Sequence, residues 1–238
     1  MGVMSRTLVI IPAYNEEETI AQVIENVRRD APGCDVLVVD DGSSDGTPDV
    51  VTNTGGAALV RLPFNLGIGG AMQTGYRYAL RNGYDIAVQC DADGQHPPRR
   101  IPDLVRHVEE GAADLLIGSR YVADTAYAPS LTRRIGKSLM SRLVDTLIGG
   151  GITDTTSGFR AANRKVIALF AKDYPDDYPE AEALIMLYKN GLKAAEMPVD
   201  MLPRQGGRTS IRPRHAVYYM VKVGLAILVH MLRKGGAA

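Results

Sequence analysis

The chain has 238 residues, 45% of them hydrophobic and 23% charged, and its 27 Lys and Arg balance its 27 Asp and Glu. That length and composition suit one large α/β domain, or a domain with an appendage, in an ordinary soluble globular protein. The charge is uneven, because residues 201–238 hold seven Lys or Arg and no acid; such a tail asks for an anionic partner, and its lack of interleaved aromatics excludes a base-stacking nucleic-acid role.

Thr7 to Pro12 is a nearly continuous apolar run, as in a strand buried on both faces of a parallel sheet. It starts so close to Met1 that no signal or transit segment is expected. After Pro12-Ala13-Tyr14-Asn15-Glu16 a helix is expected, with Asn15 as its cap, Glu16, Glu17 and Glu18 in its first turn, and Ile20, Val23, Ile24 and Val27 as its apolar stripe. Val36 to Asp40 reads as a second buried strand, running into Asp41-Gly42-Ser43-Ser44-Asp45-Gly46, with Thr47 capping a helix and Pro48 at its first position. A third strand, Ala58 to Leu62, leads into Asn65-Leu-Gly-Ile-Gly69-Gly70-Ala71 and a helix that Gly83 stops. These glycines are not a dinucleotide fingerprint, which follows the first strand with a different spacing. Gly69 and Gly70 either approach a diphosphate or permit tight helix packing.

The fourth strand, Ile86 to Cys90, delivers Asp91-Ala92-Asp93-Gly94-Gln95-His96-Pro97-Pro98. The Gly94 turn lets Asp91, Asp93 and Gln95 converge on one hard cation, and all-oxygen ligation suits Mg²⁺ or Mn²⁺ rather than zinc. His96 is an alternative further ligand. A solvated Asp-Gly turn is the plain alternative to a metal site. Pro98 to Val108 reads as a helix and Asp114 to Arg120 as a fifth strand. Alternating strands and helices mean a wound, mostly parallel α/β sheet, in which ligands lie beyond the carboxyl ends of the strands. Tyr14, Asp40, Asp41, Asp91, Asp93 and Arg120 all fall at such ends. Cys34 and Cys90 lack metal or redox spacing and are expected to be core residues in a reducing compartment.

Four motifs in series, Pro-Ala-Tyr-Asn-Glu, Val-Asp-Asp-Gly-Ser-Ser-Asp-Gly-Thr, Asn-Leu-Gly-Ile-Gly-Gly-Ala and Asp-Ala-Asp-Gly-Gln-His-Pro-Pro, resemble those of the inverting family 2 glycosyltransferases. The resemblance runs from Thr7 to about Ser210 and is strongest to the dolichol-phosphate mannose synthase and polyprenyl-phosphate glycosyltransferase branch. It implies a type A glycosyltransferase fold over residues 1–210, with residues 211–238 as a basic amphipathic helix. It further implies that Pro12, Ala13, Tyr14, Glu16, Asp40, Asp41, Asn65, Gly69, Asp91 and Ala92 hold a nucleotide-diphosphate sugar. Asp91, Asp93 and Gln95 would hold the metal, and Asp154 to Arg160 matches the acceptor-side motif, with Ser157 and Arg160 toward the acceptor phosphate. Met197-Pro198-Val199 and Arg204 to Ser210 resemble a loop that closes over the diphosphate. Where such loops often read Ser-Lys, Ser210 precedes Ile211, which leaves Arg204 and Arg208 as the phosphate partners.

The implied reaction leaves negative charge on the nucleotide, which a divalent metal and Arg contacts stabilise. A polyprenyl phosphate acceptor is already anionic and needs cations: Arg120, Arg133, Arg134 and Arg160 are candidates. A hydroxyl acceptor needs a base, for which Asp154, Glu180 and Glu182 are candidates, although two acids opening a helix also suit its dipole. Ala216 to Leu232 is short for a bilayer core, and with Leu131 to Leu147 it forms a candidate interfacial helix, for peripheral contact at the cytoplasmic face of a membrane. Either helix equally suits packing on the sheet or in a homo-oligomer. Two rivals remain: the same chemistry on a soluble hydroxyl acceptor, and a sugar-nucleotide binding module without turnover.

Overall fold

The computed structural model describes residues 5–122, 151–176 and 179–203. The chain opens with β1 (Thr7–Ala13), α1 (Ile20–Asp30), β2 (Cys34–Asp40), α2 (Thr47–Thr54), β3 (Ala58–Arg61), α3 (Gly67–Arg81) and β4 (Ile86–Gln89). A 3-10 turn over Pro98–Arg100 leads into α4 (Ile101–Glu109), followed by β5 (Leu115–Ser119), β6 (Arg160–Asn163), α5 (Arg164–Lys172), α6 (Pro179–Lys189) and β7 (Ala194–Pro198). The expected wound α/β order therefore stands, with element ends moved by a few residues.

Among the described residues the strands form one sheet in the order β3-β2-β1-β4-β6-β5-β7. All pairs are parallel except those of β6, which is antiparallel to β4 and to β5. Two reversals cancel, so β5 and β7 run the same way as β4. Every strand but β6 thus ends on one rim, and β6 begins there, with Arg160 in register with Gln89 of β4 and Ile117 of β5.

Strand side chains alternate between faces, and the core divides accordingly. Leu8, Ile10, Leu37 and Val39 pack with Met72 and Tyr76 of α3 and Phe170 of α5. Val9, Ile11, Val36 and Val38 pack with Ile24 and Val27 of α1 and Leu104 of α4. Burying both faces is what makes the strands read as continuous apolar runs.

Three expectations are corrected. The first helix starts at Ile20, with no acid in its first turn. Asn15 is instead in the left-handed region at φ 56°, and residues 15–17 are stitched to the turn after β2. The backbone N–H of Asn15 donates to Ser43 Oγ at 2.9 Å, that of Glu16 to Thr47 Oγ1 at 2.8 Å, and Glu17 Oε2 accepts from the N–H of Gly46 at 2.7 Å. Those tertiary bonds outweigh the helix dipole. Thr47 is correspondingly the first residue of α2 rather than its cap. Finally, Met197 and Pro198 belong to β7 rather than to a loop, and the N–H of Val199 still bonds Ser119 O at 2.8 Å. Arg133, Arg134, Arg204, Arg208, and the candidate helices Leu131 to Leu147 and Ala216 to Leu232 lie outside the described residues. Among the described residues no helix is long and apolar enough to cross a membrane.

Candidate active site

The rim end of β4 holds the paired carboxylates. Gly94, at φ 75°, turns the chain directly after them. Asp93 Oδ1 accepts from the Gln95 N–H at 3.0 Å. Asp91 is held more elaborately: Gln89 Nε2 donates to its Oδ1 at 3.1 Å, and its own N–H donates to His96 Nδ1 at 2.9 Å. His96 is buried against Phe159, with ring centroids 5.0 Å apart, and its Nε2 faces Asp91 Oδ2 at 3.5 Å. His96 therefore stands behind the carboxylate. Gly158 closes the same corner, since a Cβ there would lie 2.7 Å from Gln89 Nε2 and 3.2 Å from Asp91 Oδ2.

A cleft of about 970 Å³ opens from this point across the ends of β1 and β2. Its wall brings together Pro12, Ala13, Tyr14, Glu16, Asp41, Asn65, Asp91, Ala92 and Asp93, residues from four strand ends. Tyr14 is 48% exposed there, a ring standing at the mouth. Asp41 accepts from the N–H groups of Leu66 at 2.7 Å and Gly67 at 2.9 Å, which anchors the start of α3. Burial nevertheless holds its carboxyl above the usual carboxylate range, outweighing those bonds. Asp40 is used inside its turn instead, its Oδ1 accepting from the Ser43 N–H and its Oδ2 facing Arg61 Nε at 3.1 Å. Gly69 faces the α5–α6 connection rather than the cleft: a Cβ there would meet Pro175 O at 2.1 Å, so tight backbone approach explains that glycine. Gln95 is also outside the cleft wall, and its carbonyl accepts from the Leu202 N–H at 2.8 Å.

The cleft wall carries Glu16, Glu17, Glu18, Asp41, Asp45, Asp91 and Asp93, and among its described residues there is no Lys or Arg. Hard oxygen donors in an acid-lined cleft fit Mg²⁺ or Mn²⁺. Among the described residues no three His, Cys, Asp or Glu side chains gather around one point. Two carboxylates suit a cation that completes its shell with substrate phosphates and water rather than a closed protein cage.

On the other flank of the rim the expected acceptor-side residues form an ordered scaffold. Arg120 makes a bidentate pair with Asp154, Nε to Oδ2 at 2.7 Å and Nη2 to Oδ1 at 2.8 Å, and Asp154 is fully buried. Its N–H, and the N–H and hydroxyl of Thr153, are taken by Glu196 of β7. Ser157 Oγ donates to Gly118 O at 2.7 Å and accepts from the Phe159 N–H. The guanidinium of Arg160, 2% exposed, donates to three carbonyls: Ser157 at 2.6 Å, Glu180 at 2.9 Å and Thr155 at 3.2 Å. Glu180 opens α6 near this cation, and Glu182, also in its first turn, is buried. Burial pushes the Glu180 carboxyl up, with the Asp91 charge adding to the rise and the Arg160 charge opposing it.

Gln89 and Glu196 went unassigned by sequence reasoning, Gly158 entered it only inside the acceptor-side motif, and His96 was read as an alternative further ligand rather than a partner of Asp91. Gln89 alone carries a legible signal: one amide in a run of apolar strand residues, two positions before an acid. The other three act through contacts between separated segments, which spacing does not reveal.

Paired acids at the end of the fourth strand and a cation-bearing second flank thus share one rim of the sheet. Residues 8–170 match the family model described as glycosyl transferase family 2. The chain belongs to that family. It is 35% identical over 230 residues to a polyprenol monophosphomannose synthase of Mycolicibacterium smegmatis, covering 92% of this chain and 85% of the relative. It is 32% identical to an undecaprenyl-phosphate mannosyltransferase of Micrococcus luteus, covering 87% of each. In fold it is similar to glucosyl-3-phosphoglycerate synthase of Mycobacterium tuberculosis, solved with Mn²⁺, uridine diphosphate and glucosyl-3-phosphoglycerate. That likeness has a TM-score of 0.74 at 23% identity, covering 98% of this chain and 82% of the other.

Proposed function

We propose that this glycosyltransferase moves a sugar, with inversion, from a nucleotide-diphosphate donor of UDP or GDP type to a polyprenyl phosphate, at the cytoplasmic face of a membrane that it meets peripherally. The observation that carries the donor half is the Asp91 and Asp93 pair on an acid wall, because a nucleotide diphosphate is itself an anion and that wall repels it unless a cation mediates. Asp91 and Asp93 would hold a divalent cation, which would supply positive charge against the negative charge that develops on the departing diphosphate. The nucleoside end lies along Pro12 to Glu16 and Asp41, with Tyr14 available to cover it. The names of the two curated relatives, which act on polyprenol and undecaprenyl phosphates, support the acceptor half. Such an acceptor brings its own negative charge, so the chain's task is to place it and not to deprotonate it.

The test is release of nucleoside diphosphate over a panel of UDP- and GDP-sugars, with Mg²⁺ or Mn²⁺ and with a short polyprenyl phosphate. Release that needs both metal and lipid phosphate supports the reading; release driven by soluble sugars or glycerate, with lipid irrelevant, replaces it with a hydroxyl acceptor. Glu180 is the observation that favours that second reading, being an acid with a raised carboxyl pKa within electrostatic reach of Asp91.

Two smaller predictions follow from the same geometry. Gly158→Ala is expected to lower turnover about 10-fold at an unchanged melting temperature, because the new methyl displaces Gln89 and Asp91 from behind the ligand oxygens. Wild-type turnover in that variant would mean that Asp91 tolerates being moved. Glu180→Gln is expected to be more stable than wild type at pH 7, with the gap closing below about pH 4. The sign follows from the raised pKa: the folded state holds this proton more tightly than the unfolded state. The Glu180 contribution therefore falls as pH rises from the ordinary carboxylate value through the raised one. Denaturant midpoints of both proteins across pH 4 to 8 provide the check.

A further inference from the structure

We infer that His96 is a positioning residue for Asp91, holding the backbone of that residue so that its carboxylate keeps the orientation that cation binding needs. The inference rests on the reading of Asp91 and Asp93 as the cation-holding pair. The Asp91 N–H donates to His96 Nδ1 at 2.9 Å, so the neutral ring carries its proton on Nε2. Nε2 lies 3.5 Å from Asp91 Oδ2, a proximity and not a hydrogen bond. Gln89 Nε2 donates to the other oxygen, Oδ1, at 3.1 Å. The backbone N–H and one carboxylate oxygen of Asp91 are therefore each held, which fixes the residue at two points.

The ring is itself fixed. It is 6% exposed and lies nearly parallel to Phe159, at 30° and 5.0 Å, so neither a flip nor a rotation is available without disturbing the core. The Nδ1 bond reaches a residue five positions earlier in the chain, and this closes the Asp91–His96 turn on itself. The Gly94 turn in the middle of that segment would otherwise be the softest part of the site. Partners of this kind, hydrogen-bonded behind a ligating residue, typically contribute 10- to 100-fold in metal affinity.

Two substitutions separate the bond from the ring. In His96→Asn the ring is lost, but the side-chain amide oxygen stands where Nδ1 was and keeps the bond to the Asp91 N–H. In His96→Ala both go. Mn²⁺ binding by the full chain is read from the free-ion electron paramagnetic resonance signal with saturating UDP or GDP, and thermal melting is read separately in EDTA. The expected result is a loss of Mn²⁺ affinity of about 10-fold for His96→Ala that His96→Asn largely recovers, with melting in EDTA lowered alike in both because each loses the ring beside Phe159. Wild-type Mn²⁺ affinity in His96→Ala overturns the inference. So does an equal loss of affinity in both variants, because His96 would then act through its packing alone. If wild type itself binds no Mn²⁺, the cation reading fails with it, an outcome distinct from equal binding by wild type and His96→Ala.

Discussion

Asp93→Asn is expected to cut nucleoside diphosphate release by about 10³-fold, the several kcal/mol that cation-mediated charge stabilisation supplies. Asp93 Oδ1 accepts the Gln95 N–H, and in the substitution an amide oxygen keeps that bond. Asp91→Asn is less clean. Gln89 Nε2 donates to its Oδ1, and an amide NH₂ turned that way would face another donor, so part of any loss is local rearrangement. The Asp93 variant also separates two electrostatic accounts. Removing one negative charge from a wall with seven acids should, by simple repulsion, leave nucleotide binding in EDTA unchanged or tighter. With Mn²⁺ present the same variant should bind nucleotide more weakly than wild type. Calorimetric titration of UDP and GDP with and without Mn²⁺ gives both comparisons. Equal tightening in both conditions would mean that the carboxylates only shape the wall and hold no cation.

The sequence made the parallel half of the molecule legible because β1, β2 and β4 are buried on both faces and nothing in them interrupts the apolar run. Once those strands are parallel, their acids must share a rim, and the cleft wall follows. β6 was not legible. Arg-Ala-Ala-Asn has neither β-branched nor aromatic residues, and it is a strand because β4 and β5 pair with it on both edges. Asp40 and Asp41 were equally indistinguishable by position, yet a turn N–H takes one and leaves the other on the cleft wall. The start of α1 was misplaced for a related reason: the partners of Asn15, Glu16 and Glu17 come from a different turn, about 30 residues on. Local pattern names the elements here, while contacts between turns decide which of their polar residues remain available for chemistry.

Arg160→Met is expected to destabilise the fold by about 3 kcal/mol or more, because three buried carbonyls lose their donor at once. The side chain enters at the first residue of β6 and reaches the carbonyls of Thr155, Ser157 and Glu180, so it fastens the 151–159 segment to the start of α6. Met replaces the stem and keeps the packing. What goes is the fork of donors, and no water reaches a group only 2% exposed without opening the rim. Arg160→Lys should recover little of the loss, since one ammonium cannot span three acceptors set around a planar guanidinium. The loss also moves Glu180. Arg160 opposes the burial that raises the Glu180 carboxyl, so without it that carboxyl should rise further, and the variant should lose more stability at pH 8 than at pH 5. Urea midpoints at the two pH values, beside the KM for acceptor, separate the two roles open to this arginine. A variant with a wild-type midpoint and a raised acceptor KM would make Arg160 a binding group alone. A lowered midpoint, larger at pH 8, would make it the brace that lets the rest of the acceptor flank exist.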